Sequence, residues 1–230
     1  MNAFAAHFAV VAGRDNAQKR AFDLNYGLFH GTAFGLAPDL FLTAAHVLQA
    51  AQSDGKVAVA RLTRQGNDVE LVQDVELFDR IDLALMVCPG LRAEILPFHF
   101  SALNFLEDFV CFGYPFGLEP PRFYLRAFKG HVVTRRTLTI LPAQPPGYEL
   151  SLVPPPGLSG APVLVGSATG TPEVAGMILQ HHTAEFQGRQ MDLGIALDIE
   201  ELLTLDSKII GGSIAELVFK RARVTRPSQP

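Results

Sequence analysis

Only two cysteines, Cys88 and Cys111, occur in this 230-residue chain. Both fall in apolar, strand-like runs, Leu85–Cys88 and Phe109–Phe112. With no convincing export signal ahead of them they read as reduced, small core residues. Long hydrophobic runs are missing as well. No stretch of about 18 apolar residues exists, so no spanning helix and no membrane partner are expected. Charge of either sign is scarce in excess, and the formal net charge of −4 gives no overall attraction to nucleic acid or anionic lipid. There is no phosphate loop, no dinucleotide fingerprint and no internal repeat. His181 and His182 are adjacent, and on a strand neighbours face opposite sides, so they are not a chelating pair. No cofactor and no metal is expected.

The apolar segment from Ala3 to Gly13 contains His7 and has no Lys or Arg before it, which is a poor signal peptide. It reads instead as a first strand through Phe8-Ala9-Val10-Val11, and a cytoplasmic location is expected. What the chain does have is 48% hydrophobic against 18% charged residues, enough to exclude disorder for most of its length. Short apolar or alternating runs punctuated by Gly and Pro dominate. Leu28–Leu36 and Leu40–Thr43 form a hairpin around Ala37-Pro38-Asp39. Val57–Thr63 and Val69–Phe78 flank the turn 65–68, and 82–88 is a buried strand stopped by Pro89-Gly90. Further strands are expected over 109–113, 124–133, 137–141, 148–153, 161–165, 174–181 and 190–197. About a dozen short strands suit two packed six-stranded antiparallel β-barrels. The first barrel is expected over 1–100 and the second over 101–198, with the break near 97–107. Residues 199–203 and 214–219 have helical apolar spacing, so 199–230 reads as a C-terminal helix and a solvated basic tail.

Three residues suggest chemistry. His46 lies in Thr43-Ala44-Ala45-His46-Val47, Asp82 opens Asp82-Leu83-Ala84-Leu85, and Ser159 lies in Gly157-Leu158-Ser159-Gly160-Ala161-Pro162. A hydroxyl at neutral pH is a poor nucleophile. It needs an imidazole to take its proton and a carboxylate to hold that imidazole in the right tautomer. Asp79 and Asp74 are nearby rivals of Asp82 but lack the apolar run directly after them. The order His, Asp, Ser and all three local strings resemble the trypsin-like, chymotrypsin-fold serine peptidases, closest in pattern to bacterial HtrA-like domains without a PDZ module. Phe112-Gly113-Tyr114-Pro115-Phe116-Gly117, Lys129-Gly130-His131, Ala175-Gly176-Met177 and Leu193-Gly194-Ile195 extend the likeness over most of 25–205.

The resemblance implies an all-β, two-barrel serine endopeptidase with His46, Asp82 and Ser159 as its triad. The backbone N–H groups of Gly157 and Ser159 would form the oxyanion hole. For substrate binding it implies Val153 at the pocket floor, Pro154 and Pro155 as one wall, and Leu179, Gln180 and His181 as the strand that pairs with substrate. Gly194 would line the back of the pocket, where the lack of a side chain leaves depth. An apolar floor favours a small or medium apolar residue before the cut, unless Asp192 points inward and selects Lys or Arg. Digestive trypsins carry an acid immediately before the nucleophile to pair with a newly cleaved N-terminus; here that residue is Leu158. Activation by such cleavage is therefore not expected, and the loop is either built in or ordered by a regulatory protein partner. Two other functions stand beside this one. An α/β-hydrolase elbow would need Gly where Ala161 stands, and a catalytically silent trypsin fold would serve as a protein-binding module.

Overall fold

The computed structural model describes residues 7–13, 15–16, 21–22, 28–63, 66–115, 125–166, 170–186 and 189–224. The first half contains β1 (His7–Gly13), β2 (Asp15–Asn16), β3 (Ala21–Phe22), β4 (Leu28–Ala37) and β5 (Leu40–Ala44). It continues through α1 (Ala45–Asp54), β6 (Lys56–Thr63), β7 (Gly66–Leu71), β8 (Asp74–Phe78) and β9 (Leu83–Val87). Seven of these strands form one sheet in the order β7-β6-β1-β4-β5-β9-β8. Its two edge strands are consecutive in the chain, with only Val72 and Gln73 between them. Val72 N–H donates to Val57 O (3.0 Å) and Gln73 N–H to Val87 O (2.9 Å). One bent segment from Gly66 to Phe78 thus bonds to both ends of the sheet and curls it round. The first half is thus a curled, half-barrel sheet of seven strands where a six-stranded barrel was expected. The strands are apolar where they face inward, and Phe8, Val10, Phe34, Leu42, Leu83 and Leu85 fill one shared core.

The second half contains β10 (Asp108–Gly113), β11 (Arg126–Thr137), β12 (Pro146–Leu150), β13 (Pro162–Val165), β14 (Glu173–Phe186) and β15 (Arg189–Asp198). These close into an antiparallel barrel in the order β10-β11-β12-β15-β14-β13. β10 shows how the pleat makes it: Phe109, Cys111 and Gly113 are buried, and their neighbours are less so. After β15 come α2 (Ile199–Leu203), the short hairpin β16 (Asp206–Ser207) and β17 (Gly212–Ser213), and α3 (Ile214–Val224). Asp198 starts α2 by accepting the Glu200 N–H (3.1 Å), and the hydroxyl of Tyr148 on β12 donates to the same carboxylate (2.7 Å). The C-terminal segment returns to the first sheet at Glu76 of β8, whose carboxylate accepts from the Ser207 hydroxyl (2.6 Å) and the Lys208 N–H (3.0 Å).

Between the halves, residues 89–107 carry no strand, but the segment pairs locally with β14: Val174 N–H donates to Pro97 O (2.8 Å) and His99 N–H to Val174 O (2.9 Å). One expected strand is absent. β11 runs unbroken through Thr137, and 138–144 turns back on itself through Leu141 N–H to Leu138 O and Leu138 N–H to Pro145 O. The β11–β12 ladder ends at Thr137 opposite Pro146, and 138–144 is spent on the turn that joins the two strands instead of on the strand expected over 137–141. Tyr124 lies outside the described residues. Among the described residues no helix is long and apolar enough to cross a membrane. Cys88 and Cys111 are free and buried, one in each half's core.

Candidate active site

His46 sits in the first turn of α1, where backbone N–H groups have no partner within the helix. The residue before the helix, Ala44, offers no side-chain cap. Asp82 supplies what Ala44 lacks. Its Oδ1 accepts the His46 backbone N–H (2.9 Å), its Oδ2 contacts the His46 ring at Nδ1 (2.7 Å), and its carbonyl accepts the Ala45 N–H (3.1 Å). A carboxylate can only accept, so the ring proton belongs on Nδ1 and Nε2 is left bare to receive another. A negative charge at a helix N-terminus is also favoured by the helix dipole.

Asp82 reaches this position through an unusual backbone. It follows the 3-10 turn Asp79–Ile81 and adopts the left-handed conformation, with φ 57° and ψ 45°. That reversal points the carboxylate back at α1 before β9 begins. The rival acids are occupied elsewhere: Asp79 accepts from Gln49 Nε2 (2.8 Å) and Asp74 from the Val75 N–H (2.8 Å). The His46 side chain is 45% exposed and that of Asp82 15%, so the imidazole faces solvent over a largely covered carboxylate.

Ser159 arrives from the other half of the molecule, in the turn that leads into β13. Gly157 (φ 93°) and Gly160 (φ 84°) are both left-handed, which an L side chain resists. A Cβ on Gly160 would also collide with Thr32 O and Thr43 Oγ1, so the turn can press directly onto β4 and β5 only because the residue is glycine. A Cβ built on Gly31 would lie 2.8 Å from the Ser159 carbonyl oxygen and 2.7 Å from Val47, the neighbour of His46. Gly31 thus lets the Ser159 turn pack close to the start of α1, which carries His46.

The hydrogen bonds of the turn leave two N–H groups over. Leu158 N–H donates to Pro155 O (3.1 Å), Gly160 N–H to Ile178 O (2.8 Å) and Ala161 N–H to Leu158 O (3.0 Å). Gly157 O accepts from the Thr32 hydroxyl (2.9 Å), and Ser159 O accepts from the Thr32 N–H (2.8 Å). The N–H groups of Gly157 and Ser159 have no partner among the described residues, and the Ser159 hydroxyl makes no hydrogen bond to His46. Buried or half-buried N–H groups are rarely left so, which marks this pair as donors held for something else. Leu158, the side chain between them, is fully buried in the second core against Gly113.

The expected specificity residues are distributed as follows. Val153 is 46% exposed and free to touch a ligand, and Pro154 is buried. The Leu179 side chain is fully buried in the first core, so it can offer a substrate only its backbone. Gln180 and His181 are exposed on β14. β13 pairs with β14 no further than Met177, so beyond the bonds at Ile178 no described strand pairs with the edge from Leu179 onward on that side. Gly194 leaves no depth. A Cβ there would collide with Leu152 O and lie 3.1 Å from Pro154 Cδ, so its missing side chain is filled by the chain's own backbone. Asp192 accepts from the Thr183 hydroxyl (2.6 Å) on the exposed part of the β14–β15 hairpin. His181 and His182 lie on β14, and among the described residues no cluster of His, Cys, Asp or Glu could hold a metal ion.

The fold is of the chymotrypsin-like kind, and comparison with known proteins agrees. Residues 31–171 match the family model described as a trypsin-like peptidase domain, and the chain belongs to that family. No curated protein matches it. Among solved structures it resembles the Rv3671c protease from M. tuberculosis in its active form, with TM-score 0.63 and 20% identity over 86% of this chain and 78% of that one. It also resembles inactive forms of the same protease. A serine-to-alanine mutant gives TM-score 0.59 and 18% identity over 98% of this chain and 90% of that one. The other inactive form gives TM-score 0.59 and 17% identity, covering 94% and 89%. At such identities the likeness concerns the fold, which is chymotrypsin-like.

Proposed function

We propose that the chain is a serine endopeptidase in which Ser159 is the nucleophile, His46 the general base and Asp82 the group that orients it. The observation that carries this reading is the pair of contacts from one Asp82 carboxylate to the backbone and ring of His46, set beside a turn with two unused N–H groups. In the first step Ser159 Oγ attacks the scissile carbonyl carbon while its proton passes to His46 Nε2. The oxyanion that forms is held by Gly157 N–H and Ser159 N–H. When it collapses, the C–N bond breaks and the imidazolium returns the proton to the departing amine, leaving an acyl-enzyme. Water, deprotonated by the same imidazole, attacks the ester, and the acid leaves as Oγ recovers its proton.

The substrate on this reading is an extended polypeptide that adds as a strand to the open edge of β14 at Leu179–His181. Val153 and Pro154 give an apolar wall that suits an uncharged residue before the cut, and the Thr183 bond to Asp192 leaves that carboxylate an improbable selector of Lys or Arg. A catalytically silent binder has one observation in its favour, the missing bond between Ser159 Oγ and His46. Such bonds often tighten only with substrate in place. A fluorophosphonate probe separates the two readings. We expect it to label Ser159 in the purified chain, and Ser159→Ala to fold normally while losing labelling and about 10³-fold or more in peptide hydrolysis. Substantial turnover by Ser159→Ala would dismiss the serine. Peptide binding by an unlabelled wild type would establish the silent module.

A further inference from the structure

We propose that Thr32 is the positioning residue of the oxyanion loop, acting through the Gly157 carbonyl to hold the turn in the conformation that leaves its two N–H groups free. The inference rests on the catalytic reading above and adds to it the device that sets the loop. Thr32 lies on β4, in the opposite half of the molecule from the turn and 125 residues from Gly157 in sequence. It is fully buried, and all of its polar groups are used. Its N–H donates to Ser159 O (2.8 Å), and its hydroxyl donates to Gly157 O (2.9 Å). The hydroxyl oxygen accepts the Tyr114 N–H (3.2 Å), and the carbonyl accepts the Thr43 hydroxyl (2.8 Å).

A hydroxyl has one proton to give, and this one is spent on the turn. A glycine at φ 93° has no Cβ to fix the rotation of its peptide units. The hydrogen bonds on either side must do so instead. Thr32 grips the peptide after Gly157 and the peptide after Ser159, so the segment between them is fixed at both ends to the sheet that carries His46. Leu158 completes the grip by filling the space beside Gly113, whose added Cβ would lie 2.5 Å from Leu158 Cδ1 and 2.7 Å from Thr32 Oγ1. Where a digestive trypsin inserts a charged N-terminus to order this loop, here a buried hydroxyl and a leucine are already in place. The loop is thus held by the chain's own buried residues.

The test compares wild type with Thr32→Val, which keeps the shape and removes the hydroxyl, and Thr32→Ser, which keeps the hydroxyl. Peptide-hydrolysis kinetics are read together with hydrogen–deuterium exchange of the segment 154–161. We expect Thr32→Val to lower kcat by roughly 10²-fold, the scale of losing one oxyanion donor, with KM within about threefold. Exchange should rise in 154–161 and stay unchanged in β1 and β12. Thr32→Ser should restore both readouts to within about threefold. Should Thr32→Val not fold, Thr32→Cys, a weak donor of similar size, takes its place and should lie between the other two. An unchanged kcat in the hydroxyl-free variant, equal damage from Thr32→Ser, or exchange that rises evenly over the whole chain would overturn the proposal. If the wild type neither hydrolyses peptides nor takes the fluorophosphonate, the catalytic reading fails by itself. Exchange alone then decides Thr32: a rise confined to 154–161 supports it and no local change refutes it.

Discussion

Changing Asp82 to asparagine removes one charge and almost no volume, yet the geometry around it allows only one outcome. The carboxylate serves two donors with two different oxygens, the His46 backbone N–H at 2.9 Å and the ring Nδ1 at 2.7 Å. An asparagine has a single oxygen. If that oxygen keeps the backbone N–H, the amide NH₂ faces Nδ1, which must then be a bare acceptor, and the ring proton moves to Nε2. His46 in that tautomer cannot take the proton from Ser159. If the amide flips, the first-turn N–H of α1 meets an NH₂ group instead, and a donor facing a donor costs about 1–3 kcal/mol. The first arrangement is therefore favoured and catalysis is lost through the tautomer. The corresponding change in a well-studied triad lowers kcat about 10⁴-fold, and we expect the same order here. Stability should fall by only about 0.3–1 kcal/mol from the lost charge at the helix N-terminus. The assay is kcat/KM for a peptide amide near neutral pH, with a thermal melt on the same samples. An Asp82→Asn protein that stays within tenfold of wild type, with its fold intact, would show that the carboxylate does not set the tautomer.

Other expectations follow from features away from the triad. Burial pushes both thiols up to about 12, with the Glu70 and Asp39 charges adding to the effect at Cys88, so neither should react in the native protein at neutral pH. Non-reducing denaturation should then expose two titratable thiols; finding none would reveal a disulfide and overturn the reduced-compartment expectation. At Glu76 burial alone would raise the carboxyl, but hydrogen bonds from Lys208, Ser207 and Ile209 outweigh it and hold the pKa below its ordinary value. A depressed pKa contributes stability above the unfolded value and loses it as pH falls through the folded one. Wild type should thus lose more stability than Glu76→Gln on acidification below about pH 4.5, seen in urea melts across pH; parallel curves would remove Glu76 from the account. Removing residues 1–6 should leave activity unchanged, because Leu158 is buried among apolar neighbours and offers no counter-charge to a new N-terminus. Cutting beyond His7 should unfold the protein, since β1 pairs with both β4 and β6. Activity that switches on at one particular trimmed terminus buried beside Leu158 would contradict this.

Much of this was legible in the residues themselves. The hairpin around Ala37-Pro38-Asp39 and the closing strands through 174–181 and 190–197 announce themselves by turn chemistry and apolar runs. The buried strand after Asp82 is equally plain, and the choice of Asp82 over Asp79 followed from it. Other features depend on relations that no local window contains. The left-handed backbone of Asp82 answers to the position of α1, and the apolar run over 137–141 is spent on the turn that brings β12 back beside β11. Thr32 looks like any threonine in an apolar strand, because its partners lie 82 and 125 residues away in sequence. Gly194 shows the same limit from the other side. A glycine beside a pocket and a glycine beside a backbone are identical as letters.

The site is divided between two halves that are made at different times. At about 5–20 residues per second a ribosome needs roughly 4–15 s to travel from Asp82 to Ser159. Through that interval the emerging first half carries a base and its carboxylate but nothing for them to activate. When the serine does emerge, β4 and β5 are already made and its glycine turn has a surface to press against, while the strap from Ser207 to Glu76 comes later still. On the proposed catalytic reading, a nascent chain has no nucleophile to activate until Ser159 has emerged and docked. The order of residues along the chain thus sets when the proposed site can first be assembled.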